Sequence, residues 1–386
     1  EVPAPNADGD YATSLQYRLQ QEQLGEIPAE ECVDIFLTTE YCAYELINSS
    51  YTMPLSLIGL NDHSTAQMYP YTKQLGSDER GFLKAVSINA APGAFAYRRS
   101  MAREVFGTDD PAVVAQYLSD WDSFDNTAAL MKQHGYYMLS GYDAAYRTAR
   151  YGEWTDGSGS AVIPAAVQDW MQRTAEYVRN GYCKSNTIWS DEWAQDFAAD
   201  GDVFGLFFPT WGIEYTLAGN AGDDGYGDWA VCAGPESFFY SENMMCVSAN
   251  TDNKELASYV LYYLTCDYDV MRDIAETEAE YFVNNAEVMQ DISAAGYSSG
   301  FLAGQNPVTV FAANAQSLDI SVPSQYATSL SDALLDLAEE FFSGLCTING
   351  ENWFDVMKNA ETEWLEDEGF RVPVFKRTTI GKYSLI

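Results

Sequence analysis

Short apolar runs alternate along this chain with longer stretches of helical spacing, and the two periods together predict an α/β fold. Val33–Leu37, Phe82–Val86, Ala94–Tyr97, Tyr136–Leu139, Val203–Phe208, Trp229–Cys232 and Met244–Ala249 read as buried strands. Tyr11–Gln21, Pro111–Leu118, Ser123–His134, Ala165–Asn180, Leu330–Phe342 and Asn352–Asp367 read as helices, as does the stretch opening at Lys254. In Ala165–Asn180, Val167, Trp170, Met171, Thr174, Tyr177 and Val178 fall on one stripe, and Gly181 supplies the stop. In the helix from Lys254, Leu256, Val260 and Leu264 are expected inward. Phe82–Val86 and Ala94–Tyr97 have Pro92 and Gly93 between them and no helix, which suits a crossover between domains.

One stretch stands apart. Val203–Phe208 ends at Pro209, which stops further ladder pairing, and Trp211-Gly212 follows at once. A helix is expected from Ile213, with Leu217 four residues on. The sequence thus describes a strand that stops and sets a flat indole at the mouth of a helix. Ligands in open α/β sheets bind at strand carboxyl ends. An indole there suits the apolar face of a sugar ring, although Trp211 could equally fill core.

Other strand ends also carry polar and aromatic groups. Thr39, Glu40 and Tyr41 follow the first strand, and Tyr142, Asp143, Tyr146 and Arg147 follow Tyr136–Leu139. Trp189, Asp191, Glu192 and Trp193 could line a cleft, or Ser190 or Asp191 could cap the next helix. Glu242 and Glu280 complete the strand-end acids, and Gly219–Gly227 reads as a turn.

Length and charge narrow the classes. With 386 residues, two domains are expected. Asp and Glu total 57 against 20 Lys and Arg, a net charge of −37. So few cations make nucleic acid and anionic bilayers poor partners, and the acidity reads as a solvated surface. No apolar run is long enough to span a membrane. The seven cysteines form no C-x-x-C pair, so buried free thiols are expected and a zinc knuckle is not. The two histidines, His63 and His134, join no metalloprotease or nucleophile motif, and no phosphate-binding loop is present. Paired carboxylates for glycoside chemistry stay open among so many acids.

Four segments in consistent order resemble the extracellular solute-binding proteins of the sugar-binding class, the group that includes the maltodextrin-binding protein. VDIFLTTEYCAYELINSSYTMPL is similar to the family's first Asp-Ile strand, helix and proline-leucine turn. GFLKAVSINAAPGAFAYRRSMAREVFG resembles its interdomain strand, which ends in a tyrosine, a basic residue and a helix. VFGLFFPTWGIEYTL is similar to its strand-Gly-Pro-Trp platform, with Thr210 inserted between proline and tryptophan. GDWAVCAGPESFFYSENMMCVSANTDNKELASYVLYYLT resembles its return crossover and the Asn-Lys-Glu helix start. Two departures are visible. The strand and helix that normally precede the segment resembled by Glu1–Gln21 are missing, and the basic tail 371–386 has no counterpart.

The resemblance implies a two-lobed, type II periplasmic-binding-protein-like fold with a ligand cleft between lobes. Lobe one would be 1–88 plus 242–290, and lobe two 89–241 plus 291–370. It implies a non-enzymatic, monomeric component of an ABC importer, without cofactor. The protein would sit outside the cell, lipid-tethered or periplasmic, and hand a carbohydrate to a membrane permease. Carried onto this chain, the ligand contacts would be Trp211, Glu40, Tyr41, Asn89, Tyr142, Asp143, Tyr240 and Glu242, with Trp189 and Glu192 as aromatic-acid neighbours. A cationic or peptide-like solute, or a secreted glycoside hydrolase, are the alternatives.

Overall fold

The computed structural model of the chain describes residues 10–154, 162–240, 243–277, 282–320 and 327–343. Six strands are found among them: β1 (Ile35–Thr39), β2 (Ala85–Val86), β3 (Gly93–Arg98), β4 (Gly205–Pro209), β5 (Trp229–Cys232) and β6 (Asn243–Val247). They form two three-stranded sheets, ordered β1-β6-β2 and β4-β3-β5. All four pairings are antiparallel. Parallel contacts are confined to two isolated bridges, Tyr137 with Val203 and Leu139 with Cys183. The strand-end argument for Trp211 therefore cannot rest on a parallel sheet and must rest on the local geometry.

The chain divides into two compact units. Unit one comprises the described residues of Glu1–Pro92 with Phe239–Tyr297 and Phe311–Asp319. Unit two comprises Gly93–Phe238, Ser298–Val310 and the described residues of Ile320–Ile386. The chain passes from the first to the second between Pro92 and Gly93, and returns between Phe238 and Phe239. Pro92 and Phe239 form an antiparallel bridge at that passage.

The core of unit one gathers Met53, Leu55, Ile58, Leu60, Met68, Val86, Met245, Val247, Ala257 and Leu261. In unit two every residue of β3, β4 and β5 is buried, which is why these strands read as unbroken apolar runs rather than alternating ones. Phe95 on β3 lies edge-on to Phe124 at 5.1 Å and to Phe207 at 5.0 Å. Such edge-to-face pairs add to area burial through ring quadrupoles. The helix Ala165–Asn180 has the predicted bounds, buries Val167, Trp170, Met171, Thr174 and Tyr177, and ends at Gly181 with φ 67°.

Several sequence expectations are revised. Only Ala85 and Val86 of the expected strand Phe82–Val86 join the sheet. The residues before them close back on Gly76–Asp78, through Asp78 N–H donating to the Phe82 carbonyl and Lys84 N–H to that of Gly76. Tyr136–Leu139 makes the two parallel bridges and no ladder. In helix Lys254–Thr265 the buried stripe is Ala257, Leu261 and Thr265, while Leu256 is 60% exposed. The i, i+4 spacing was right, but its phase was one residue off. Gly219–Ala221 extends a helix instead of opening a turn. Asn352–Asp367 and the basic tail lie outside the described residues.

Candidate functional site

β4 runs buried to Pro209, which faces Gly93, the first residue of unit two, across the ladder. A helical turn, Thr210–Gly212, begins with no intervening loop. It continues as a π-helix, Ile213–Ala218, instead of the α-helix expected there. π-turns recur at functional sites because the extra residue per turn re-aims neighbouring side chains. Gly212 is required here: a Cβ would lie 2.2 Å from Cδ1 of Phe208.

Trp211 is half-buried. Its ring leans on Phe208, with centroids 5.8 Å apart at 49°. It lies nearly parallel to Trp189, at 6.3 Å and 15°. Trp189 in turn touches Trp193 at 5.2 Å and Phe208 at 6.0 Å. Trp193 is buried, and it packs on Phe197 at 5.0 Å. Two aromatic rings, Trp193 and Phe208, thus form a filled base, and two indoles lie over it. Trp189 is 50% exposed. Its φ is +69°, in the left-handed region. For a bulky residue this is a genuine outlier costing about 1–3 kcal/mol, held only where surrounding structure enforces it.

Ser190 caps the helix Asp191–Asp196 by accepting from the Trp193 N–H at 3.1 Å. Of the two capping options Ser190 is the one used, and Asp191 is not. Asp191 and Glu192 are exposed in the first turn, where carboxylates complement the helix dipole.

Arg147 joins the Tyr142–Asp143 segment to this cluster. Its Nη1 donates to the Phe207 carbonyl at 3.2 Å, and its guanidinium lies 5.9 Å from the Phe208 ring centre. Asp143 is buried, and desolvation pushes its carboxyl above the usual range against the opposing pull of Arg147. Glu339 is raised in the same way by burial and then by the charges of Asp143 and Asp336. Tyr142 is half-buried beside Phe342 at 5.6 Å. Gly141 permits the close turn: a Cβ there would lie 2.2 Å from the Asn186 carbonyl oxygen.

The remaining predicted contacts belong to unit one. Asn89 is half-buried and bridges Val283. The Tyr240 N–H donates to the Ala91 carbonyl at 3.1 Å. Both therefore flank the passage between the units. Glu40 and Tyr41 open the helix Glu40–Asn48 directly after β1. Glu242 and Glu280 lie outside the described residues. Trp193, a cleft-lining candidate in the sequence, proves to be buried beneath Trp189, whereas Phe208 reads there only as the end of a strand and Arg147 only as a member of a strand-end cluster.

The five cysteines with described side chains are free thiols. Among the described residues no group of His, Cys, Asp and Glu could hold a metal ion, and no helix is long and apolar enough to cross a membrane.

The profile of bacterial extracellular solute-binding proteins matches residues 5–299. The chain belongs to this family. No curated protein sequence matches this solute-binding protein closely enough to add to that assignment. Its fold is that of solved relatives. A protein described as extracellular solute-binding protein family 1 has TM-score 0.76 at 14% identity, covering 92% of this chain and 90% of its own. The galacto-N-biose/lacto-N-biose I-binding protein of an ABC transporter from Bifidobacterium longum, in complex with lacto-N-biose, has TM-score 0.68 at 14% identity, covering 96% and 90%. An ABC transporter solute-binding protein from Thermotoga lettingae TMO, bound to α-D-tagatose, has TM-score 0.65 at 14% identity, covering 92% and 89%. This solute-binding protein is accordingly an α/β protein of the type II periplasmic-binding fold.

Proposed function

We propose that the protein is the substrate-binding component of an ABC importer and that it captures a sugar or short oligosaccharide between its two units. The observation that carries this reading is the pair of partly exposed indoles, Trp211 and Trp189, at the sheet end where the chain enters unit two. An indole face suits the C–H face of a pyranose, while charged groups such as Asp143 and Arg147 make strong hydrogen bonds to hydroxyls. Asn89, Tyr240, Glu40, Tyr41 and Glu242 would contribute from unit one. A ligand touching both units stabilises the closed state by the contacts that the open state lacks. A membrane permease would then receive the closed form at the outer face of the cell, with the binding protein acting as a lipid-tethered or periplasmic monomer. The sugar-bound structural relatives support this reading.

A second reading, a cationic or peptide-like solute, is favoured by the carboxylates of Asp143, Glu339 and Asp336. A thermal-shift screen of oligosaccharides against polyamines and peptides separates the two. Stabilisation by glycans alone is the expected result; stabilisation by polyamines or peptides alone would replace the sugar reading. Chromatography of the incubated glycan should show it unchanged, and hydrolysis products would make the protein a glycosidase.

A further inference from the structure

Resting on the reading of Trp211 as a ligand contact, we infer that Ser299 and Glu214 are its positioning residues. A buried hydroxyl, delivered by a separate stretch of chain, fixes the wide turn that follows the indole. Glu214 is the second residue of the π-helix and comes three residues after Trp211, so the two lie on neighbouring turns of one face. Its Oε1 accepts a hydrogen bond from the Ser299 hydroxyl, across 85 residues of sequence. π-windings are rare and occur mostly as single turns. An outside contact therefore decides more here than it would in an α-helix.

Ser299 belongs to the stretch Ser298–Val310, which joins unit two separately from Gly93–Phe238 and is followed and preceded by residues of unit one. Ser299 is 3% exposed. Its N–H donates to the Gln305 carbonyl at 3.0 Å and its carbonyl accepts from the Gly304 N–H at 2.8 Å, closing a loop. The loop is anchored on three other sides. The Gln305 amide pairs both ways with Val231, its Oε1 accepting from the N–H at 2.9 Å and its Nε2 donating to the carbonyl at 2.7 Å. A side chain thus takes the place of a neighbouring strand along β5. The Leu302 carbonyl accepts from Arg99 Nη2 at 3.1 Å, and that of Phe301 accepts from the Gly227 N–H at 3.0 Å. None of these anchors uses the Ser299 hydroxyl. That group accepts from the Leu302 N–H at 3.2 Å and spends its one proton on Glu214. The loop is held without the π-helix, so the bond between them constrains the π-helix and the indole at its start.

The test is amide hydrogen exchange of the intact protein, read on peptides covering residues 210–218, beside titration with lacto-N-biose, β-1,6-galactobiose and maltose. Ser299→Ala should speed exchange of 210–218 by about tenfold or more, the size of one hydrogen bond to a charged group. Exchange in residues 299–305 should stay within about twofold of wild type. Glu214→Ala, at a half-buried position, should do the same and serves where the serine variant does not fold. Glu214→Gln keeps an acceptor oxygen and should hold both exchange and affinity within about twofold of wild type. Both alanine variants should bind the best-bound of the three sugars about fivefold or more weakly. Unchanged exchange in the alanine variants, acceleration spread evenly over unit two, or no rescue by glutamine overturns the inference. So does local acceleration with full affinity for a sugar that binds wild type. Failure of all three sugars to bind wild type counts against the sugar reading alone, because the exchange pattern and its rescue still decide the role of the pair.

Discussion

The two ends of the second sheet are made in opposite ways. At the carboxyl end of β3 the chain buries two consecutive arginines. Arg98 is 1% exposed. Its Nε donates to the Val203 carbonyl at 3.2 Å, and its Nη2 donates to that of Asp196 at 3.1 Å and also to that of Ala198. Its guanidinium stacks 4.7 Å from the centre of Trp229, and burial draws its pKa below the ordinary value. Arg99 donates to the carbonyls of Trp229 at 2.9 Å and Leu302 at 3.1 Å, and to Asp109 at 3.3 Å. Donor after donor is committed to the unit's own backbone. At the other end, beyond β4, the groups are aromatic and part of their surface faces water. A directional, satisfied network fixes a scaffold, whereas a rigid apolar face left partly wet is available to a ligand. The same small sheet thus separates an end committed to its own backbone from an end that leaves aromatic surface partly exposed.

Four substitutions would break or sharpen this contrast. Arg98→Ala should have the largest effect. It strands buried carbonyls and the partly buried Asp228, and a loss of about 3–5 kcal/mol in urea denaturation is expected. Any protein that stays folded should keep its sugar affinity. Trp211→Ala should do the reverse, weakening sugar binding by about 2–3 kcal/mol in titration. Its melting temperature should move by no more than about 2–4 °C. A large melting shift with unchanged affinity would make Trp211 a packing residue and erase the contrast. Gly212→Ala should cost about 1–3 kcal/mol by forcing the ring of Phe208 aside, with a parallel loss of affinity as Trp211 follows.

The smallest effect is expected from Asp143→Asn, read as melting temperature against pH. Burial raises the Asp143 carboxyl in the folded protein above its ordinary value of 3.8. The folded state therefore prefers the protonated form, and ionised Asp143 lowers stability above its folded pKa. That loss is relieved as the pH falls through the folded pKa toward the unfolded one. The asparagine variant should match or exceed wild type at neutral pH, and the gap should close on acidification. Arg147 pulls the same carboxyl the other way, so a gap that widens in acid would show that the Arg147 pairing dominates instead.

Much of this was legible in the sequence. Periodicity located Ala165–Asn180 because its stripe alternates sharply with charge, and it located β3 and β4 because strands buried on both faces leave unbroken apolar runs. Pro209 marked the end of β4 because it has no N–H to give. Other features had no signal. The phase of the helix from Lys254 was ambiguous, because Leu256 and Ala257 both begin an apolar i, i+4 series. Tyr136–Leu139 has strand composition but finds partners at only two positions, which depends on distant residues Val203 and Cys183. The left-handed backbone at Trp189 is least predictable of all, since a tryptophan is among the last residues a propensity argument would place there.

The π-helix Ile213–Ala218 gives the chain a way to tolerate changes in length. A residue added upstream can be taken up by one wide turn. The helix then re-enters ordinary winding at Gly219–Ala221. Descendants of this gene could therefore lengthen or trim the approach to Trp211 by a single codon, while everything after the wide turn stays in register.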